Sequence, residues 1–351
     1  MNRRTLLAAS SAALITRPAG GSAIADTGEP GRAEVIVRNG EISVAVAGER
    51  VRGSGVAVEP GDFWHIGSNT KSMTGLLAAR LAARETVALD EPVAEMLDGI
   101  SIHGDFRDVT LADLLQHRSG LRANISLFQQ LRMSGLDGAR DARADRAELV
   151  ARYMRRGAEA PRGTYLYSNL GYVVAGHVLE RAAGAPWEAL IAREVFAPLG
   201  LEAGFGPPAV GERDRSKPSQ PWGHRALFGP GRGVAPDAGA DNPPYLSPAG
   251  RVHLSAETMG RYLLAHLERS EGYLPRALWD RAHAPVGEER YGFGWGALPD
   301  GSFAHDGSNG LWYCHMRIWP ERRRAYAAFA NEARSDTARW MAGAGSALAE
   351  T

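Results

Sequence analysis

Phe63-Trp64-His65-Ile66-Gly67-Ser68-Asn69-Thr70-Lys71 is where this 351-residue chain changes its period. Up to Ile66 the apolar residues run together as in a strand. From Ser68 to Arg84, Met73, Leu76, Leu77 and Leu81 recur at helical spacing, which predicts a helix with Ser68 at its N-cap. Ser68 and Lys71 then stand three apart, on one helix face and within reach of each other. A serine hydroxyl is a poor nucleophile until a base takes its proton. A lysine desolvated at a buried helix start has a lowered pKa and can be that base; arginine cannot deprotonate. Of 40 basic residues only Lys71 and Lys217 are lysines. In a chain that otherwise writes its cations as arginine, Lys71 reads as a chemical choice. The plainer alternative is a capping serine followed by a solvated lysine.

Working outward, Asn39-Gly40 lies between two Val/Ile-rich stretches, 34–38 and 42–47, a strong hairpin signal. A third apolar stretch, 56–58, precedes the strand-to-helix change. Downstream, Thr110 can cap a short helix through Leu111, Leu114 and Leu115. Leu149, Val150, Tyr153 and Met154 form a second stripe ended by Gly157, and Val174, Val178 and Ala182 a third ended by Gly184. Residues 205–248 are rich in Gly and Pro without a period, as expected of a lip over a site. After a helical stripe at 256–267, strands are expected at 291–295, 303–305, 311–318 and 325–330, with turns at Asp300-Gly301 and Pro320-Glu321-Arg322. A closing helix is expected over 334–349. Strands at both ends with helices between them predict one antiparallel sheet interrupted by a helical insertion.

Composition bounds the function. The chain is 44% hydrophobic and 23% charged, with zero formal net charge and a pI near 7.2. That is an ordinary globular balance with no broad basic surface, which argues against nucleic acid as a partner. Arg3-Arg4, an apolar run at 6–15 and Ala23-Ile24-Ala25 follow the order of a secretory signal peptide, with a loose twin-arginine likeness. The run is too short to span a bilayer, so an exported protein, periplasmic or secreted, without a stable membrane anchor is expected after cleavage at Ala25. Cys314 is the single cysteine, so no intramolecular disulfide is possible; it sits in a strand-like run and reads as core.

Other chemistries lack their motifs. Thr70 stands where a phosphate-binding loop before Lys71-Ser72 needs glycine, no serine lies in G-x-S-x-G, and no H-E-x-x-H or Cys/His cluster marks a metal. The residues do form another ordered set. The Phe63–Lys71 stretch is followed by Leu89-Asp90-Glu91-Pro92-Val93, His117-Arg118-Ser119-Gly120-Leu121, Tyr167-Ser168-Asn169 and His305-Asp306-Gly307. Pro198-Leu199-Gly200 and Tyr291-Gly292-Phe293-Gly294-Trp295-Gly296 agree in kind and order. Together these resemble the β-lactamase-related serine hydrolases, the group of class C β-lactamases, DD-peptidases and class VIII-type esterases, across nearly the whole mature chain.

The resemblance implies an α/β (α+β) fold, an antiparallel sheet flanked by N- and C-terminal helices with a mostly helical domain inserted. Residues 26–85 and 246–351 would form the sheet domain, 86–245 the insertion and 1–25 the signal. It implies that Ser68 is the acylated nucleophile and Lys71 its amine partner. Tyr167, as a phenolate stabilised by the lysine charge, would share the proton work. Asn169 would position Lys71 and the substrate amide, and His305 would serve as a hydrogen-bond donor or cation. Gly307 would complete the third motif, and the N–H groups of Ser68 and Ser308 would hold the oxyanion. No metal or cofactor is required; the partner is a small-molecule or peptide substrate with an ester, amide or β-lactam carbonyl. A binding or sensor protein that keeps the fold without turnover is the alternative. His65, His117, His177 and His315 lack partner motifs and read as structural. Asp306 departs from the family, which commonly has a hydroxyl there to bind a substrate carboxylate; facing the site, it would repel one and favour neutral esters or amides.

Overall fold

The computed structural model describes residues 29–126, 141–226 and 229–334. The segment read as a signal peptide lies outside these residues, as does all but the first residue of the expected closing helix over 334–349. Strands β1 (Arg32–Arg38) and β2 (Glu41–Ala47) form the expected hairpin. Its two loop residues, Asn39 and Gly40, take φ of 53° and 89°, the left-handed pair of a turn that matches strand twist.

Among the described residues, four further strands complete the main sheet and five more form two small ones. With β8 (Gly296–Ala297), β9 (Phe303–Ser308), β10 (Tyr313–Trp319) and β11 (Arg324–Ala330), the main sheet runs β2-β1-β11-β10-β9-β8, and every neighbouring pair is antiparallel. The chain's two ends thus share one sheet. Strand alternation sends Val35, Val37, Cys314, Met316, Ile318, Ala327 and Phe329 into one core, where they are fully buried. A smaller cluster on the opposite face centres on Trp319 and Tyr326.

Helix α1 (Thr70–Ala83) follows β3 (Phe63–His65). The sequence stripe marked one buried face, but eleven of its fourteen residues are buried. It is a central helix, wedged between the sheet side and the helical middle of the chain, and its small residues Ala78 and Ala79 permit that close packing. In the middle, α2 (Leu111–Leu115) begins with a capping box between Thr110 and Asp113. Helix α3 (Ala142–Tyr153) packs on α4 (Asn169–Ala183), which is capped by Ser168 and stopped by left-handed Gly184. Arg146 and Glu180, both fully buried, join the two helices at 2.6 Å, and removing either partner would leave a buried charge worth about 3–5 kcal/mol of destabilisation.

The 205–248 stretch is more ordered than its composition suggests. Strand β4 (Ala203–Phe205) pairs with β7 (Val252–Ser255), which also pairs with β3; β5 (His224–Arg225) and β6 (Arg232–Gly233) make a small ribbon. A short helix α5 (Ser247–Gly250) precedes β7, and α6 (Ala256–Glu268) then crosses β1 and β11. One expectation fails. Residues 291–295 are not a strand, although Tyr291, Phe293 and Trp295 are buried. Their backbone bonds to itself and to the end of α7 (Arg276–His283): Gly292 N–H to Trp295 O and Phe293 N–H to Ala282 O, each at 2.8 Å.

Candidate active site

Ser68 sits in a single 3-10 turn, Gly67–Asn69, that leads from β3 into α1. It is not the N-cap the sequence suggested. The α-helix begins at Thr70, Asn69 takes the capping position, and neither turn has a side-chain cap bond. The Ser68 hydroxyl is therefore uncommitted to backbone, and it lies 3.0 Å from Lys71 Nζ.

Lys71 is fully buried, and burial holds its ammonium pKa well below the usual lysine value. Its nitrogen also lies 2.7 Å from Asn169 Oδ1 and 2.8 Å from the Ala249 carbonyl of α5. Both of those oxygens only accept. A neutral amine has two N–H bonds, so the two oxygens consume both and leave its lone pair for the Ser68 proton. Asn169 is held in turn by its Nδ2, which donates to Asn124 Oδ1 at 2.8 Å. No sequence motif signals Asn124 or a backbone carbonyl such as that of Ala249.

Tyr167 closes the other side. Lys71 Nζ stands 4.9 Å from its ring centre, and its hydroxyl bonds with Ser68. Burial pushes the phenol up to about 12, the Ser68 bond offsetting only part of that. That shift favours the phenol, a proton donor, over the expected phenolate at Tyr167. His117 stacks behind it with ring centres 4.2 Å apart, and its Nδ1 accepts the Ser168 N–H at 3.0 Å. That backbone bond is the partner no sequence motif could reveal.

Gly67 and Gly307 let the nucleophile turn and β9 approach backbone to backbone. A Cβ on Gly307 would overlap the Ile66 carbonyl and stand 2.9 Å from Ser68 N, and one on Gly67 would overlap Ser308 N. The Ser68 and Ser308 amides are brought to one place by this contact. Ser68 N–H opens a helical turn, where no intrahelical acceptor exists for it.

The rest of the third motif differs from expectation. His305 is buried and spends both ring nitrogens on protein: Nδ1 lies 3.2 Å from Asn69 Oδ1 and Nε2 2.9 Å from the Tyr291 hydroxyl. Asn69 Nδ2 donates to Cys314 O, so its Oδ1 accepts from His305 Nδ1, and the Tyr291 O–H donates to Nε2. Burial, then the charge of Lys71, lowers His305 to about 4. It is a neutral link, neither cation nor free donor. Asp306 alternates to the opposite face of β9 from His305. Its side chain is 60% exposed, with Oδ1 2.8 Å from His315 Nδ1. His315 is therefore the partner of the Asp306 carboxylate. Ser68, Lys71, Tyr167, Asn169, Gly307 and Ser308 converge; the His305 nitrogens and the Asp306 carboxylate do not join them.

Comparison with known proteins places the fold and the family. The Beta-lactamase family model matches residues 16–347. Penicillin-binding protein 4 of Amycolatopsis lactamdurans is 28% identical over 313 residues, covering 83% of this chain and 78% of its own. Esterase EstB of Burkholderia gladioli is 31% identical over 300 residues, covering 76% and 73%. Among solved structures, the octameric penicillin-binding protein homologue from Pyrococcus abyssi superposes with a TM-score of 0.71 at 25% identity, over 87% of this chain and 70% of that one. A class C β-lactamase shares the fold, with a TM-score of 0.69 at 16% identity, over 87% of each chain. With its family model spanning nearly the whole sequence and an esterase relative aligned over most of both chains, this protein belongs to the β-lactamase family of serine hydrolases.

Proposed function

We propose that the chain hydrolyses esters or amides through an acyl-enzyme on Ser68. The observation that carries this is Lys71: fully buried, with two carbonyl acceptors fixing its N–H bonds and the Ser68 hydroxyl 3.0 Å away. In this reading Lys71 takes the Ser68 proton as Oγ attacks the substrate carbonyl, and the oxyanion rests on the Ser68 and Ser308 N–H groups. Collapse of the tetrahedral intermediate expels the alcohol or amine, which takes a proton from Tyr167. The Lys71 ammonium returns a proton to the phenolate, so the net transfer is from Ser68 to the leaving group. Water then attacks the ester on Ser68, the reverse relay delivers its proton to Oγ, and the carboxylic acid leaves.

Neutral acyl groups fit this site better than substrates carrying a carboxylate beside the reacting carbonyl. The neutral His305 offers no positive charge where the third motif meets substrate, and the anionic Asp306, on the opposite face of β9, acts on a substrate carboxylate only through solvent. The esterase relative favours the same side of the choice.

The test is incubation with a fluorophosphonate followed by intact mass, beside turnover of a short-chain aryl ester. A single adduct, absent from Ser68→Ala, together with ester turnover is expected. Failure of the wild-type chain to label sinks the acyl-enzyme; labelling without turnover of any ester or amide makes the protein a binder.

A further inference from the structure

Behind the nucleophile turn lies a second buried polar network that the proton relay does not use. Gly67 N–H donates to His65 Nδ1 at 3.1 Å. An imidazole that accepts at Nδ1 carries its proton on Nε2, and that atom lies 2.9 Å from Asp241 Oδ1. The same Oδ1 accepts from Asn309 Nδ2 at 3.0 Å, and Asn309 directly follows Ser308. Oδ2 accepts from Arg251 Nε at 3.1 Å. The next residue, Asn242, donates through Nδ2 to the Gly250 carbonyl at 3.1 Å, one residue beyond the carbonyl that holds Lys71.

The Asp241 side chain is 1% exposed. Burial alone pushes its pKa up, but His65, Arg251 and Asn309 outweigh burial and hold it below the ordinary carboxylate value. A buried carboxylate is costly and poor at adding net stability, so its place needs a reason other than cohesion. Its contacts supply one. One oxygen reaches the turn that presents the Ser68 amide and the loop that follows the Ser308 amide. These are the two walls whose close approach the paired glycines allow.

We propose that Asp241 is a positioning residue of the oxyanion hole. Through His65 it holds the Gly67 N–H, one residue before the Ser68 amide, in a left-handed turn of φ 51°, and through Asn309 it holds the Ser308 side in register. This rests on the acyl-enzyme reading. An oxyanion donor acts only when it is already aimed, and removing one costs about 10²–10³ in rate, so loosening both sets a loss of about 10–100-fold.

The experiment compares wild type with Asp241→Asn, which keeps the shape and removes the charge. Turnover of an aryl ester is counted per fluorophosphonate-titrated site. Affinity for an arylboronic acid, whose adduct mimics the tetrahedral intermediate, is measured alongside. Expected are a kcat lower by about 10–100-fold, a KM within about threefold, and boronate affinity falling in step with kcat. A merely structural carboxylate would lower the melting temperature without moving kcat per titrated site. In case Asp241→Asn folds poorly, Asn309→Ser keeps an acceptor for Leu311 N–H while removing the donor to Asp241, and should lose about 3–10-fold in the same matched pattern. Turnover per titrated site within twofold of wild type in the folded variants overturns the proposal alone. A wild-type chain that the fluorophosphonate cannot titrate overturns the acyl-enzyme reading and this one with it.

Discussion

Two buried basic clusters lie along α1, and they look alike until their borders are compared. One is Lys71 with Asn169, Ala249 and Ser68. The other is the His266–His283 pair, joined to α1 through the Tyr262 hydroxyl, which donates to Ser72 Oγ at 2.8 Å. In both, burial pushes a basic group well below its usual pKa. In the pair, His283 Nδ1 faces the Trp279 carbonyl at 3.0 Å, so its Nε2 accepts from His266 Nδ1 at 2.9 Å. That leaves His266 Nε2 as a buried lone pair among the rings of Tyr262, Trp279 and Trp295. Lys71 has instead a partly exposed hydroxyl at its open side. A depressed pKa follows from burial anywhere; only a reacting group at the border turns it into a site.

The largest break in the comparison comes from Lys71→Arg. Arginine keeps the charge and the donors but cannot accept the Ser68 proton, so kcat should fall by at least about 10³-fold. The check is ester turnover and the rate of fluorophosphonate labelling on the folded variant. Activity within tenfold of wild type would put the base elsewhere and make the Lys71 cluster as inert as the histidine pair.

The histidine pair should show itself in stability rather than rate. Its folded pKa values lie below the unfolded 6.5, with His283 at about 3, so protons bind the unfolded chain first as pH falls. The pair's contribution is therefore complete above pH 6.5 and is lost as pH drops toward 3. Lys71 has the same sign in a different window, since its unfolded value is 10.5 and its contribution already declines below that. Between pH 6.5 and 5 one imidazole should cost about 2 kcal/mol of unfolding free energy. Urea unfolding at pH 7 and pH 5 is the measurement. His266→Phe should lose less on acidification than wild type; an equal loss would mean that the pair does not govern acid lability.

Much of this was legible because local rules and global fold agree. The Asn39-Gly40 hairpin, the Thr110 cap, the stop at Gly184 and the antiparallel sheet shared by both chain ends each rest on residues whose backbone preferences match their surroundings. Ser68 and Lys71 were legible from spacing and from the scarcity of lysine. What escaped depends on partners distant in sequence. All five residues of 291–295 are buried, as in a core strand, but an aromatic-rich run reports which side chains are inside and not what the backbone bonds to. His305 was read as a donor or cation because its type allows both; Asn69 and Tyr291 decide otherwise. Asp241 lies in a stretch with no period, and its meaning exists only once His65 and Asn309 are beside it.

The smallest expected effect belongs to Asp306, and it tests how far the third motif differs from the two buried clusters. Neither Lys71 nor His266 can be screened by solvent, whereas the Asp306 side chain is 60% exposed. Burial raises its pKa somewhat, but the His315 and Tyr313 hydrogen bonds hold it below the ordinary aspartate value, so it stays anionic at neutral pH. Its repulsion of a substrate carboxylate acts through water and salt rather than through a dry interior. Asp306→Thr should therefore shift the ratio of kcat/KM for a penicillin over a neutral aryl ester by only about 3–10-fold toward the penicillin. That shift should shrink between 0.05 M and 0.5 M salt, where the screening length falls from roughly 14 Å to about 4 Å. The same comparison in Tyr167→Phe would change both substrates together and leave the ratio alone. A salt-independent gain far above tenfold would mean that the carboxylate reaches a desolvated contact with substrate. No gain at all would leave the missing cation at His305 as the sole reason for favouring neutral acyl groups.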